Sequence, residues 1–299
     1  MKSNEIVGSI MTQLNQESII YSAIPEPTSN PVSRQEWPKN IKTLLGLVNA
    51  GLFSERLLPW LLPISILLLW QFASYFVWVS PQVLPAPRIV FSTLSRLITD
   101  GSIFEHAFIS LSRVLLGVLL GGVTGLLIGL AMGLSRHVND IIGPTIRALA
   151  LVPKLGWIPL LTILVGIDEA LKVVSIAIGA AVPVVMNTYA GIARVPERYL
   201  EAATVLKITG LRRVQTVIFP AALPNIITGF VLAFSFSWKA LIAVELMASS
   251  EGLGFLMTWG RQLFQMDIVL SAVIVIGLIG FILDKALVLT SNKVLAWLR

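Results

Sequence analysis

Cysteine is absent from the 299 residues, and histidine occurs only twice, at His106 and His137. A cysteine nucleophile and a Cys/His metal centre are therefore excluded. Charge is scarce as well: 13% of residues are Asp, Glu, Lys or Arg, where a soluble domain carries roughly 25%. The phosphate-binding pattern G-x-x-x-x-G-K-[ST] is missing, so the chain does not hold ATP in that manner, and no G-x-S-x-G nucleophile elbow occurs. Apolar sequence dominates instead, with 56% hydrophobic residues and a mean hydropathy of +0.84. The net charge of +6 is spread between apolar runs and forms no basic stripe with interleaved aromatics. It reads as an orientation signal in a membrane protein, not as a nucleic-acid footprint.

A hydrocarbon core of about 30 Å takes roughly twenty apolar residues per helix. Six stretches meet that length, at 57–79, 112–134, 141–165, 171–191, 221–246 and 268–290. The third is interrupted by Pro144, Arg147, Pro153, Lys154 and Pro159, breaks that a span tolerates when neighbours satisfy the freed backbone groups. With the N-terminus inside, the inner segments hold thirteen Lys and Arg and the outer ones three, Arg88, Arg96 and Arg261. Both termini and the segment 192–220 are thus expected in the cytoplasm. Residues 1–56 read as a cytoplasmic tail, 57–290 as the transmembrane domain and 291–299 as a second short tail. Within the first tail, 25–38 (PEPTSNPVSRQEWP) is expected to be disordered. Residues 41–53 either lie along the inner leaflet or extend the first helix. No basic n-region leads into an apolar h-region, so a cleaved signal peptide is not expected.

Three sets of residues stand out. Gly117, Gly121, Gly125, Gly129 and Gly133 recur every four positions along the second span. Such spacing lets helices approach closely in lipid, where packing replaces the hydrophobic drive, and helix packing is their expected role. Lys154 and Lys239 are ionisable groups inside spans and are candidates to line a path for an anion, with Trp238 and Glu245 beside them. The alternative for Lys239 is a structural pair with Glu245. The third set is a polar, basic island between two spans, EAATVLKITGLRRVQTVIFP at 201–220. Pro196 and Glu197 open a short helix. Glu201 offers a carboxylate, Ala202 and Ala203 leave room for another surface, and Gly210 is placed to end the helix with positive φ. Leu211 to Phe219 supply a second short helix, and Pro220 marks the return to the membrane.

This island resembles the cytoplasmic EAA loop of binding-protein-dependent ABC importers, the permease segment that docks on the ATPase. It departs from the family pattern at Lys207, which stands where a glycine is usual, with Gly210 three residues later. The resemblance extends across about 57–290 to permeases of the nitrate, sulfonate, taurine and bicarbonate branch. It is carried by Pro59-Trp60, Trp70-Gln71, Leu84-Pro85-Ala86-Pro87 and Ser110-Leu111-Ser112-Arg113, then by Val152-Pro153 and Ile158-Pro159-Leu160. Gly166-Ile167-Asp168-Glu169, Pro220-Ala221-Ala222-Leu223-Pro224, Gly252-Leu253-Gly254-Phe255 and Asp267-Ile268-Val269-Leu270 continue it. Trp238-Lys239-Ala240-Leu241 with Glu245 is most similar to the aliphatic sulfonate permeases.

The resemblance implies an all-α polytopic membrane protein of the type I ABC importer permease (MetI-like) fold, with six transmembrane helices, in the cell inner membrane. It implies partners as well: two ATP-binding cassette ATPase subunits, a second permease copy, most simply as a homodimer, and a periplasmic or lipid-anchored substrate-binding protein. ATP-Mg would be bound by the ATPase subunits and no cofactor by this chain, which would be a transport permease and not an enzyme. Glu201, Ala202, Ala203, Lys207, Gly210 and Pro220 would form the ATPase-coupling surface. An aliphatic sulfonate is the preferred cargo, with nitrate, bicarbonate, taurine or a pyrimidine vitamin precursor as alternatives. A gradient-driven secondary transporter would instead show inverted repeats and acidic or histidine relays within the spans, and neither is evident.

Overall fold

The computed structural model describes residues 58–153 and 156–296. The tail expectations for 1–56, the 41–53 helix among them, and Lys154 lie outside the described residues. The chain divides into two compact units, 1–66 and 67–299, so that helix α1, Leu58–Tyr75, is shared between them. Its apolar residues from Trp60 to Leu69 are largely exposed, as suits a helix with lipid around it. Within the second unit Trp70 Nε1 donates a 3.0 Å hydrogen bond to the Pro85 carbonyl, holding the turn after α1.

Helix α2, Pro87–Thr99, begins with proline, whose missing N–H is no loss in a first turn. Val90, Thr93 and Leu97 form its buried stripe, the i, i+3, i+7 spacing of a helix lying on a surface. That surface belongs to α11, Met266–Val294: Thr93 Oγ1 donates to Asp267 Oδ2 at 2.6 Å, and Ser271 Oγ donates to the Val90 carbonyl at 3.1 Å. Helix α3, Ser102–Leu134, has 33 residues. At 1.5 Å per residue this is about 50 Å, longer than a bilayer core, so α3 extends past the hydrocarbon. Helix α6 covers Glu169–Ala193 and α9 covers Phe219–Ala248. Among the described residues, four helical stretches are long and apolar enough to span: α3, α6, 210–248 and α11. All the regular structure described is helical.

The expected third span, 141–165, is not one helix. It is split into α4, Arg136–Leu151, and α5, Trp157–Val165. Pro153 is the reason, because the residue before a proline is driven out of the helical region; Val152 is extended, with φ −72° and ψ 125°. The nine residues of α5 reach about 14 Å, too short to cross alone. Among the described residues, four long helices are accompanied by the shorter α1 and the broken α4–α5 pair. Gly166, at φ +85°, turns the chain, and Asp168 Oδ1 accepts from the Glu169 amide to start α6.

The most extensive helix contact is between α3 and α6. Gly121 lies so close to α6 that an added Cβ would stand 2.1 Å from the Ala177 carbonyl oxygen, and at Gly125 it would stand 2.7 Å from that of Ala181. Gly117, Gly129 and Gly133 face Ile176, Thr188 and Ile192 in turn. Near one end of this pair, Val114, Ile176, Phe234, Trp238, Leu241 and Leu253 join α2, α9 and α11 in the main apolar core. Substituting Gly121→Ala is expected to force α3 and α6 apart, at about 1–3 kcal/mol for overpacking. Gly277 of α11 has no atom within 4 Å of an added Cβ, so Gly277→Ala is expected to be neutral or stabilising. Melting temperatures of the two purified variants check the contrast.

Candidate functional site

The polar island folds as a helical hairpin. Helix α7 covers Glu197–Val205, α8 covers Gly210–Arg213, and a π-helical turn, Val214–Ile218, runs from α8 into α9. The end of α7 differs from expectation: it is Lys207, and not Gly210, that ends this helix. The Ile208 amide donates to the Ala203 carbonyl at 2.8 Å and the Lys207 amide to that of Thr204 at 3.0 Å. This paired 6→1 and 5→2 pattern needs a left-handed residue between its donors and acceptors, and Lys207 takes that place with φ +56°. Gly210, at φ +58°, opens α8 instead. The helix closes by its own hydrogen bonds, and they fix position 207 as left-handed whatever residue stands there.

Ala202, Ala203 and Pro220 line one groove of about 350 Å³, with Tyr199, Leu206 and Val217 beside them. Ala203 is buried, while Glu201, Ala202 and Lys207 are exposed. Around them Val205, Leu206 and Leu211 present 82%, 69% and 72% of their surface. A compact knob with an apolar face and both signs of charge at its edge is thus formed by 197–220. Arg213 steadies it by donating to the Leu200 carbonyl at 3.3 Å.

A second feature is a cavity of about 550 Å³ between α4, α5, α6 and α9. Its walls are almost entirely apolar, including Val152, Trp157, Val182 and Ala243, and Lys239 is the one charged group among its described lining residues. The Lys239 ammonium lies 5.9 Å from the centre of the Phe236 ring, within cation–π range. Lys239 also borders a smaller cavity that it shares with Trp238, Ser235 and Asp284. Trp238 itself is a core residue, packed over Gly280. Glu245 does not pair with Lys239, because its carboxylate is held elsewhere.

That other place is a buried ionic network which inspection of the sequence did not pick out. Arg113 of α3 clasps Glu169 of α6 with two bonds, Nε to Oε2 at 2.8 Å and Nη2 to Oε1 at 2.6 Å. Its Nη1 donates to Glu245 Oε1 at 2.7 Å and to the Glu251 carbonyl at 2.8 Å. Lys172 completes the charge balance by donating to Glu169 Oε1 at 2.6 Å. The side chains of Arg113 and Glu245 are 3% and 0% exposed, and burial at that level demands full pairing. Three successive amides of the chain entering helix α10, Leu253–Gln262, are also held here. Gly252 donates to His106 Nδ1 at 3.1 Å, Leu253 to Ser110 Oγ at 2.9 Å, and Gly254 to Glu245 Oε2 at 2.9 Å. Gly252, at φ +105°, has no room for a Cβ beside the Glu245 carboxylate. Arg113 at the edge of an apolar run, and Glu169 and Lys172 three residues apart, were the visible signals; their convergence was not.

A helical membrane unit with a polar knob on one connection is the arrangement of a transport permease. Residues 117–294 match the family described as binding-protein-dependent transport system inner membrane component, and the chain belongs to that family. A Bacillus subtilis protein assigned as an aliphatic sulfonates transport permease is 38% identical over 237 residues, covering 79% of this chain and 86% of that protein. The taurine transport system permease of Escherichia coli is 31% identical, over 84% of this chain and 97% of its own. A solved methionine ABC transporter chain, in an inward-facing conformation, matches with a TM-score of 0.58 at 15% identity, covering 66% of this chain and 97% of that one. It shares the fold. The chain is accordingly a multi-pass membrane permease of the sulfonate and taurine branch, not an enzyme.

Lys207→Gly is expected to relieve about 1–2 kcal/mol of left-handed strain, offset in part by the greater freedom of unfolded glycine. The net gain of about 0.7 kcal/mol corresponds to roughly threefold slower amide exchange at Ile208, measured by hydrogen exchange.

Proposed function

We propose that this permease forms the translocation path for a short aliphatic sulfonate and is driven by ATPase subunits docked on residues 196–220. The observation that carries the cargo is the 550 Å³ cavity, which among the described residues sets the ammonium of Lys239 against apolar walls. An alkanesulfonate has an anionic head for Lys239 and an alkyl tail for those walls. Nitrate and bicarbonate have no tail to bury there. The assigned role of the Bacillus subtilis relative supports the same class of cargo.

The knob supports the coupling role. Its exposed Val205, Leu206 and Leu211 are apolar anchors, and Glu201 and Lys207 supply charge at the rim, the usual layout of a protein-binding patch. The excess of Lys and Arg in the inner segments supports a cytoplasmic location for the knob and both termini. ATP-Mg would then be held by the ATPase subunits. A second permease copy would complete the passage, and a substrate-binding protein would deliver cargo at the opposite face.

Uptake of a short alkanesulfonate into proteoliposomes containing the permease, its ATPase and its binding protein tests this reading. Uptake is expected to require both ATP and the binding protein, and Lys239→Met is expected to lower it at least tenfold with the complex still assembled. ATPase stimulation without sulfonate uptake would overturn the cargo, and gradient-driven uptake by the permease alone would overturn the class of mechanism. Glu201→Lys, by reversing charge at the rim of the knob, is expected to reduce co-purification of the ATPase several-fold without affecting membrane insertion.

A further inference from the structure

Residues 249–254 link α9 to α10, and their backbone is seated on side chains from two helices. His106 and Ser110 of α3 accept from the Gly252 and Leu253 amides, and Glu245 of α9 accepts from that of Gly254. Arg113 reaches the same segment through the Glu251 carbonyl, at 2.8 Å. Its other edge is occupied by the two-bond clasp on Glu169, at the first residue of α6. One rigid guanidinium therefore touches the segment, α9 and α6 together. A planar fork with fixed bond directions does not follow a displaced partner as a flexible ammonium would. If the Glu251 carbonyl moves, Arg113 must rotate, and Glu169 must move or lose a bond.

The placement of this unit is suited to receiving a load. Ser250 and Glu251 are exposed, while Gly252, Leu253 and Gly254 behind them are buried. Glu169 is the partly solvated end of the network, with 55% of its side chain exposed, so α6 is held at a point where a change of partner is not opposed by a fully dry surround. The far end of α6, Ala193, lies four residues before α7, which begins the knob.

We propose that Arg113 is a positioning residue which transmits displacement of residues 249–252 by the substrate-binding protein to α6, and through α6 toward the knob. The proposal rests on the importer reading above, with 249–254 on the face that meets the binding protein. His106 and Ser110 seat the segment, whereas the Arg113–Glu169 clasp carries the movement. Seating and transmission are therefore separable by substitution.

The test is ATPase activity of the complete reconstituted complex, titrated with cargo-loaded binding protein. Glu169→Gln keeps the volume and one acceptor but removes the second oxygen of the clasp. It is expected to lower maximal stimulation at least fivefold, with the half-saturating concentration of binding protein within about twofold of the parent. His106→Ala, which removes the acceptor for Gly252 and the ring contact with Phe255 but leaves the Arg113–Glu169 clasp in place, is expected to do the opposite: a several-fold higher half-saturating concentration and maximal stimulation within about twofold. If Glu169→Gln alone is not recovered, the double variant with Lys172→Met, which removes the ammonium left short of a partner, takes its place. Maximal stimulation preserved in the Glu169 variant, or both variants moving the same parameter, would overturn the proposal. A parent complex that the binding protein does not stimulate would overturn the importer reading itself, and the proposal with it.

Discussion

The fold depends on the close approach of α3 to α6. In lipid there is no gain from hiding apolar side chains from water, so two helices stay together through close contact, dispersion and the polar bonds between them. Glycine every fourth residue on α3 brings its backbone against the carbonyls of Ala177 and Ala181, a distance that any side chain would prevent. The same pair of helices carries two members of the ionic network, Arg113 on α3 and Glu169 on α6. The bonds of 2.6 to 2.8 Å between them are available because the backbones are already near.

Two opposite solutions to the problem of charge in a membrane protein occur on one bundle. In the network, two basic and two acidic groups, Arg113, Lys172, Glu169 and Glu245, neutralise one another, and the remaining donors and acceptors are satisfied by Ser110 and the backbone of 251–254. Lys239 is held differently, bordering a cavity whose wall gives it an aromatic face. A satisfied cluster fixes structure, and a cation beside open apolar space is disposed to take up an anion. This difference in environment, not residue type, separates charges that fix structure from a charge left beside open space.

The knob is likewise built by backbone bonding. A left-handed lysine at 207 is tolerated because two amide hydrogen bonds close α7 around it, and the π-helical turn at 214–218 joins the knob directly to a spanning helix. The knob and α9 are therefore joined through continuous helix, without a slack linker.

Much of this was legible in the sequence. Apolar runs of spanning length located α3, α6, α9 and α11, because a bilayer imposes a length that composition alone reveals. The order of motifs indicated the permease family, and four-residue glycine spacing marked one face of a helix. Pro153 was visible as an interruption, but whether the chain kinked or broke depended on neighbours, and it broke. The ionic network was invisible because Arg113, Glu169, Glu245 and Glu251 lie up to 138 positions apart, and only helix packing brings them together. Sequence therefore determined what each helix is made of and that the four long apolar ones must lie in lipid. Tertiary structure decided which charges meet, which remain beside open space, and that Lys207 rather than Gly210 turns the chain, since those outcomes depend on distances between helices and on local hydrogen-bond closure.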